Sequence, residues 1–183
     1  MAWALTSDWT GRSSSVSGSP IRPFAIMAGD APAIWSLGGR FATLASGSTT
    51  DGHLDLLEAT AWRSTEPPLH VHEREDEAWY VLEGQLTFQV GSETFVAGTG
   101  AFAFAPRGLP HAFTVDVEPT RVLVLALPSG FAGFANEAGE AAEADGSIPD
   151  LTIDPSQLGP IAARYGIEIV GPPIRVARGE LPR

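Results

Sequence analysis

The stretch His70-Val71-His72-Glu73-Arg74-Glu75-Asp76-Glu77 constrains this chain more than any other. Successive side chains of a β-strand point to opposite faces, so residues two apart share a face. On a strand, His70 and His72 project together. Two imidazoles on one face, with a carboxylate close by, can bind a divalent transition metal. A third histidine, His111, lies downstream, and the chain holds only four. Periodicity alone leaves the carboxylate open among Glu73, Glu75, Asp76 and Glu77, because parity is lost wherever the chain turns. Glu77 is the preferred candidate, since it opens the β-rich run Ala78-Trp79-Tyr80-Val81-Leu82; the other three read as solvated acids at the mouth of the fold. A lone histidine on an apolar strand is ordinarily a hydrogen-bonded core residue, and His53 takes that reading.

Composition narrows the chemistry. There is no cysteine, so disulfides, thiolate catalysis and thiolate metal sites are excluded and only nitrogen and oxygen ligands remain. All eleven basic residues are arginines, which excludes Schiff-base and lysine-nucleophile chemistry. The formal charge is -11 with no basic patch, so a nucleic-acid partner is not expected. The N-terminus lacks a basic region followed by an apolar run, and no apolar run approaches the roughly 18 residues of a membrane-spanning helix. A cytoplasmic location is the expectation, and the missing cysteines suit it.

At 183 residues the chain suits one well-buried domain. Twenty glycines and fifteen prolines favour frequent turns over long helices. The first 20 or so residues, rich in Ser, Gly and Thr, read as a flexible arm carrying Trp3 and Trp9. Strand-like runs begin at Ile34. They continue through Arg40–Leu44, an Asp51-Gly52 turn, and the extended segment His53–Trp62. Pro67-Pro68 biases the approach to His70 towards extended geometry. Ala78–Leu82 closes at Glu83-Gly84. Leu86–Val90 and Glu93–Val96 form a hairpin around Gly91-Ser92, and Ala101–Ala105 reads as a strand buried on both faces. His111–Val115 and Arg121–Leu127 complete the series. Short strands at this spacing argue for an antiparallel sandwich or barrel. Phe131–Ala144 predicts a short amphipathic helix with Glu137, Glu140, Glu143 and Asp145 on its solvated face. A second helix is predicted from an Asp154 N-cap and Pro155 to Gly166, with Pro160 interrupting it or marking its start. A short extended piece and a tail follow.

These residues resemble the two motifs of the cupin superfamily. The first, His-x-His, four residues, Glu, six residues, Gly, stands here as His70, His72, Glu77 and Gly84. The second, Gly, five residues, Pro-x-Gly, two residues, His, stands as Gly100, Pro106, Gly108 and His111. Fifteen residues, Gln85 to Thr99, separate them, similar to compact single-domain bacterial cupins. The second motif commonly carries Asn four residues after its histidine; here Val115 stands there, and no ligand is touched. The resemblance implies a mainly β, double-stranded β-helix (jelly-roll) barrel over residues 24–130. An N-terminal arm (1–23) would precede it, and a C-terminal helical segment and tail (131–183) would follow. It also implies that His70, His72, Glu77 and His111 hold one divalent ion, with Fe, Mn, Ni, Co, Cu and Zn all suited to such ligands.

Alternation from Glu77 puts Trp79 and Val81 on the ligand's face, and alternation from His111 does the same for Phe113 and Val115. Parity does not decide whether Phe88, Phe102 and Phe104 face in or out; Phe88 and Phe104 join the candidate substrate-binding set. An apolar lining suits a flat aromatic or enolic substrate better than a sugar phosphate, for which only Arg107 is near in sequence. Residues 67–115 look most like small bacterial cupins grouped with quercetin 2,3-dioxygenase. That likeness implies ring cleavage by dioxygen, with Glu77 as both ligand and proton acceptor. Another metal-dependent enzyme on the same barrel, such as a polyketide cyclase or isomerase, and a non-catalytic small-molecule binder are the alternatives. Exposed sheet edges and outer apolar faces favour a homodimer, with the N-terminal arm as a candidate contact.

Overall fold

Alternation is clearest in the strand Asp55–Ala61, one of the central strands of the sheet. A computed structural model describes residues 21–63, 66–142 and 155–175. In chain order its main elements are β1 (Ala33–Ser36), β2 (Gly39–Ala45), the single turn α1 (Gly47–Thr50), β3 (Asp55–Ala61), β4 (Pro68–His72) and β5 (Asp76–Val90). Then come β6 (Glu93–Gly98), β7 (Phe102–Ala105), β8 (His111–Leu127), α2 (Phe131–Glu137), β9 (Gly139–Ala141), α3 (Pro155–Arg164) and β10 (Ile167–Pro173). In β3, Asp55, Leu57, Ala59 and Ala61 are buried while the residues between them are only partly so. A period of two with one face on the core is what an antiparallel strand requires.

The strands pair antiparallel in the order β10-β4-β8-β3-β2-β1-β9, and β5 joins β8 while also carrying β6 and β7. This is the expected jelly-roll barrel. Two runs expected as separate strands are continuous in each of β5 and β8, because each strand serves two walls of the barrel. Residues 76–81 of β5 face residues 122–127 of β8, and residues 86–90 face 111–115, with register shifts between. Bulges of this kind bend a strand. Gly84 takes φ +89 at the bend, and a Cβ there would come within 2.3 Å of Thr120 Oγ1. The buried Thr120 hydroxyl accepts from Gln85 N at 3.1 Å and donates to the Val117 carbonyl, closing the corner.

Phe88, Leu57, Leu86, Val81 and Val115 are fully buried at the centre. Phe88 is ringed by Trp79, Phe95 and Phe113 at centroid distances of 4.9, 5.7 and 5.8 Å. Burying a side chain of this size contributes about 1.5–3 kcal/mol.

Three expectations are corrected. β7 is buried on one face only: Ala103 and Ala105 point in, whereas Phe102 and Phe104 are 63% and 46% exposed. As a short strand paired with β5, it covers the core through its alanines alone. The helix expected to reach Ala144 ends at Glu137, because residues 139–141 instead pair with the edge strand β1. The extended C-terminal piece is present as β10, which pairs with β4. His53 is exposed in the turn before β3 rather than held in the core. The N-terminal arm with Trp3 and Trp9, the acids Glu143 and Asp145, and the Asp154 cap lie outside the described residues.

Candidate metal centre and adjoining cavity

β4 delivers the first two histidines. It is flanked by β10, with His70 opposite Ile169 and His72 opposite Ile167, and meets β8 where His70 opposes His111. The strand ends at His72, whose carbonyl accepts from Gly108 N at 2.8 Å, while Glu73 N donates to the Gly166 carbonyl at 2.9 Å. The loop carrying His111 is tied down by Asp76, whose carboxylate accepts from Arg107 N, Nε and Nη2 at 2.8–2.9 Å. Asp76 is therefore a loop clamp, not a free rim acid. Glu77 points inward from β5 between Ala105 and Ala126, its Cα partners, whose small side chains leave it room.

One ligand atom from each of His70, His72, Glu77 and His111 lies within 4.8 Å of the others, so the set could hold a metal ion. Glu77 Oε2 is 3.1 Å from His111 Nε2 and 3.4 Å from His72 Nε2. His70 Nδ1 is 2.8 Å from the Pro68 carbonyl, and His111 Nδ1 is 2.9 Å from the Leu109 carbonyl. A carbonyl can only accept, so both Nδ1 atoms carry hydrogen, and in the neutral ring each Nε2 keeps its lone pair. His72 Nε2 is buried without a hydrogen-bond partner. Burying such a nitrogen is costly unless something answers it, and a cation among these three nitrogens and one carboxylate would. Nitrogen and oxygen donors of this kind suit a first-row divalent ion.

The electrostatics favour the metal-binding form of His70 and Glu77. Burial, reinforced by the neighbouring His111, lowers the His70 pKa to about 3, so the ring is neutral at physiological pH. Burial also opposes charge on Glu77, but His72, His111 and His70 outweigh it and hold the carboxyl below its usual range. At His72 burial works against protonation, yet the carboxylates of Glu77 and Glu75 prevail and raise its pKa.

A cavity of about 290 Å³ opens beside these four residues. Its wall includes His70 and Glu77, while His72 and His111 lie behind it. Trp79 and Phe113 line the cavity as expected from alternation. Val81, Phe88 and Val115 are buried but stand behind the lining, in the core. Phe104 projects from the outer face, which corrects its candidacy as a lining residue. The sequence reading missed Leu86 and the contributions of α2, α3 and β10, among them Phe131, Phe134 and Leu158. The spacing of Phe131 and Phe134 was the available signal for α2. It also missed Glu75, expected at the rim but only 1% exposed and beside His72. Glu73 is exposed, as a solvated acid is. Arg107 is turned outward to Asp76 and does not line the cavity.

Comparison with known proteins agrees with this geometry. The cupin domain family matches residues 60–126. Quercetin 2,3-dioxygenase of Bacillus subtilis is 26% identical over 89 residues, covering 49% of this chain and 26% of that protein. The chain thus matches about a quarter of the length of this curated relative. Among solved structures, the polyketide cyclase RemF from Streptomyces resistomycificus aligns with TM-score 0.51 and 24% identity, over 59% of this chain and 81% of that one. A predicted oxalate decarboxylase from Thermotoga maritima aligns with TM-score 0.52 and 18% identity, over 57% and 99%. These two likenesses establish the fold. No helix among the described residues is long and apolar enough to cross a membrane.

Proposed function

We propose that this chain, whose residues 60–126 match the cupin domain family, is a metal-dependent dioxygenase cleaving an enolic or phenolic aromatic substrate. The observation that carries this reading is the wall of the cavity. Around His70 and Glu77 it is built from Trp79, Leu86, Phe113, Val122 and similar apolar groups, and among the described residues no arginine lines it. Such a wall suits a flat, neutral ring. Beyond a bound metal ion, a dianion such as oxalate would meet the carboxylates of Glu77 and Glu66 and, among the described residues, no cationic side chain.

A divalent ion held by His70, His72, Glu77 and His111 would supply Lewis acidity towards an enol oxygen and a means of engaging dioxygen. The chain's own residues do the rest. Glu77, with its carboxylate on the cavity wall, accepts the proton of the substrate hydroxyl. Trp79 and Phe113 hold the ring, and the apolar wall excludes water. The outward row of Tyr80, Phe102 and Phe104 supports a homodimer through that face.

The test is elemental analysis of the purified protein, followed by oxygen uptake with a panel of flavonols, enols and phenols under each metal found. Stoichiometric oxygen consumption with ring opening is expected. Conversion without oxygen consumption would place the protein with cyclases or isomerases instead, and binding without turnover would make it a non-catalytic binder.

A further inference from the structure

We propose that Glu75 is a positioning residue of the metal centre, holding His72 from behind through Nδ1 so that Nε2 faces the other ligands. Glu75 is as buried as the ligands themselves. Its Oε2 lies 3.5 Å from His72 Nδ1. Neither atom has a hydrogen-bond partner, and among the described residues His72 is the one ion-pair contact of Glu75. The separation is longer than an ordinary hydrogen bond, and a small shift of either side chain closes it to a charge-assisted one.

The far side of the carboxylate shows that the chain makes room for it. A Cβ on Gly130 would stand 1.9 Å from Glu75 Oε1. Gly130 cannot retreat freely, since its N–H donates to the buried Asp55 carboxylate at 2.8 Å, as Ala132 N does at 2.9 Å. Asp55 therefore anchors the start of α2 over Glu75, and Glu75 is lodged between that backbone and His72. A carboxylate enclosed this way is costly unless its charge is answered. The imidazole N–H of His72 answers it.

The three histidines are thereby distinguished. His70 and His111 lean on neutral backbone carbonyls, whereas His72 leans on a carboxylate. An anionic partner behind an imidazole fixes its tautomer and makes the opposite nitrogen a stronger donor. His72 is then the most electron-rich of the three nitrogen ligands, and Glu75 adds a second negative charge behind the first at Glu77.

The proposal rests on the metal reading of the site but not on the dioxygenase assignment. Cobalt(II) affinity, measured by chelator competition, and the visible spectrum of the cobalt protein test it on the full chain. Glu75→Gln, which keeps shape and removes charge, should weaken cobalt binding about 10–100-fold and shift the spectrum, while the melting temperature of the chelated protein changes little. Gly130→Ala should weaken binding by displacing the same carboxylate, and that effect should vanish in a Glu75→Ala background. Wild-type affinity and spectrum in Glu75→Gln, or an undiminished Gly130→Ala effect without Glu75, would overturn the positioning role alone. Failure of the wild-type protein to bind cobalt or any other first-row divalent ion would overturn the metal reading and this proposal with it.

Discussion

His70 and His111 stand directly opposite each other where β4 meets β8, with ring centroids 4.4 Å apart. That pairing joins the two histidine-bearing motifs. Everything else about the site is an arrangement for keeping these rings in place: the Pro68 and Leu109 carbonyls orient them, Glu77 faces them from β5, and Asp76 with Arg107 secures the loop that brings His111 in.

Loss of a ligand should show first as loss of metal. His72→Ala and His111→Ala should each reduce bound metal from near-stoichiometric to trace, read by elemental analysis. In the wild-type protein, metal at a hundredfold excess over Kd should stabilise the fold by about 2.7 kcal/mol. At roughly 2–4 °C per kcal/mol for a chain of this size, chelation should lower Tm by several degrees, and the two variants should show no such chelator response.

Glu77→Gln separates ligation from proton transfer. It should lower kcat by about 10²–10⁴-fold, the range for a lost general base, while retaining measurable metal. Full activity in this variant would eliminate the proton-acceptor role.

Two aromatic truncations report placement. Trp79 is 3% exposed and packs on Phe88, so Trp79→Ala should cost about 3–5 kcal/mol in denaturant unfolding. Phe104 is 46% exposed, so Phe104→Ala should stay within about 0.5 kcal/mol in the monomer.

Gly84→Ala should destabilise the barrel by about 1–3 kcal/mol, because φ +89 strains an L-residue. The new methyl would also meet Thr120. Chemical denaturation should reveal the loss without any change in metal stoichiometry.

The Asp76–Arg107 clamp should be visible in acid. Hydrogen bonds from the Arg107 side chain, then its backbone, lower the Asp76 pKa from the ordinary 3.8 to about 2. A carboxyl depressed in the folded state stabilises it above the unfolded pKa, and that contribution is lost as pH falls through the folded value. The stability difference between wild type and Asp76→Asn should thus be constant above about 3.8 and shrink as the pH approaches about 2. A difference independent of pH across that window would remove the clamp.

Much of the site was legible before the fold was known, because ligand chemistry is written in residue type and local parity. His70 and His72 share a face by the pleat of one strand, and Glu77 was singled out by its place at the start of a β-rich run. Parity also placed Trp79 and Phe113 on the cavity wall. It failed at Phe104, because a strand reading FAFA is apolar at every position and composition cannot say which face meets the core. Glu75 failed for a different reason. Its burial comes from α2 crossing over it at Gly130, a contact between segments far apart in the chain.

The sequence by itself pointed to an antiparallel sandwich or barrel, to His70 and His72 on one face, and to the kinds of ion such residues suit, since these follow from side-chain chemistry and a period of two; the full set with Glu77 and His111 came from the likeness to the cupin motifs. Only the tertiary structure decided that β10 flanks the ligand strand, that α2 and α3 wall the cavity, and that a second carboxylate stands behind His72. Those outcomes depend on which backbone edges and apolar faces find one another once the barrel closes, and no local pattern carries that information.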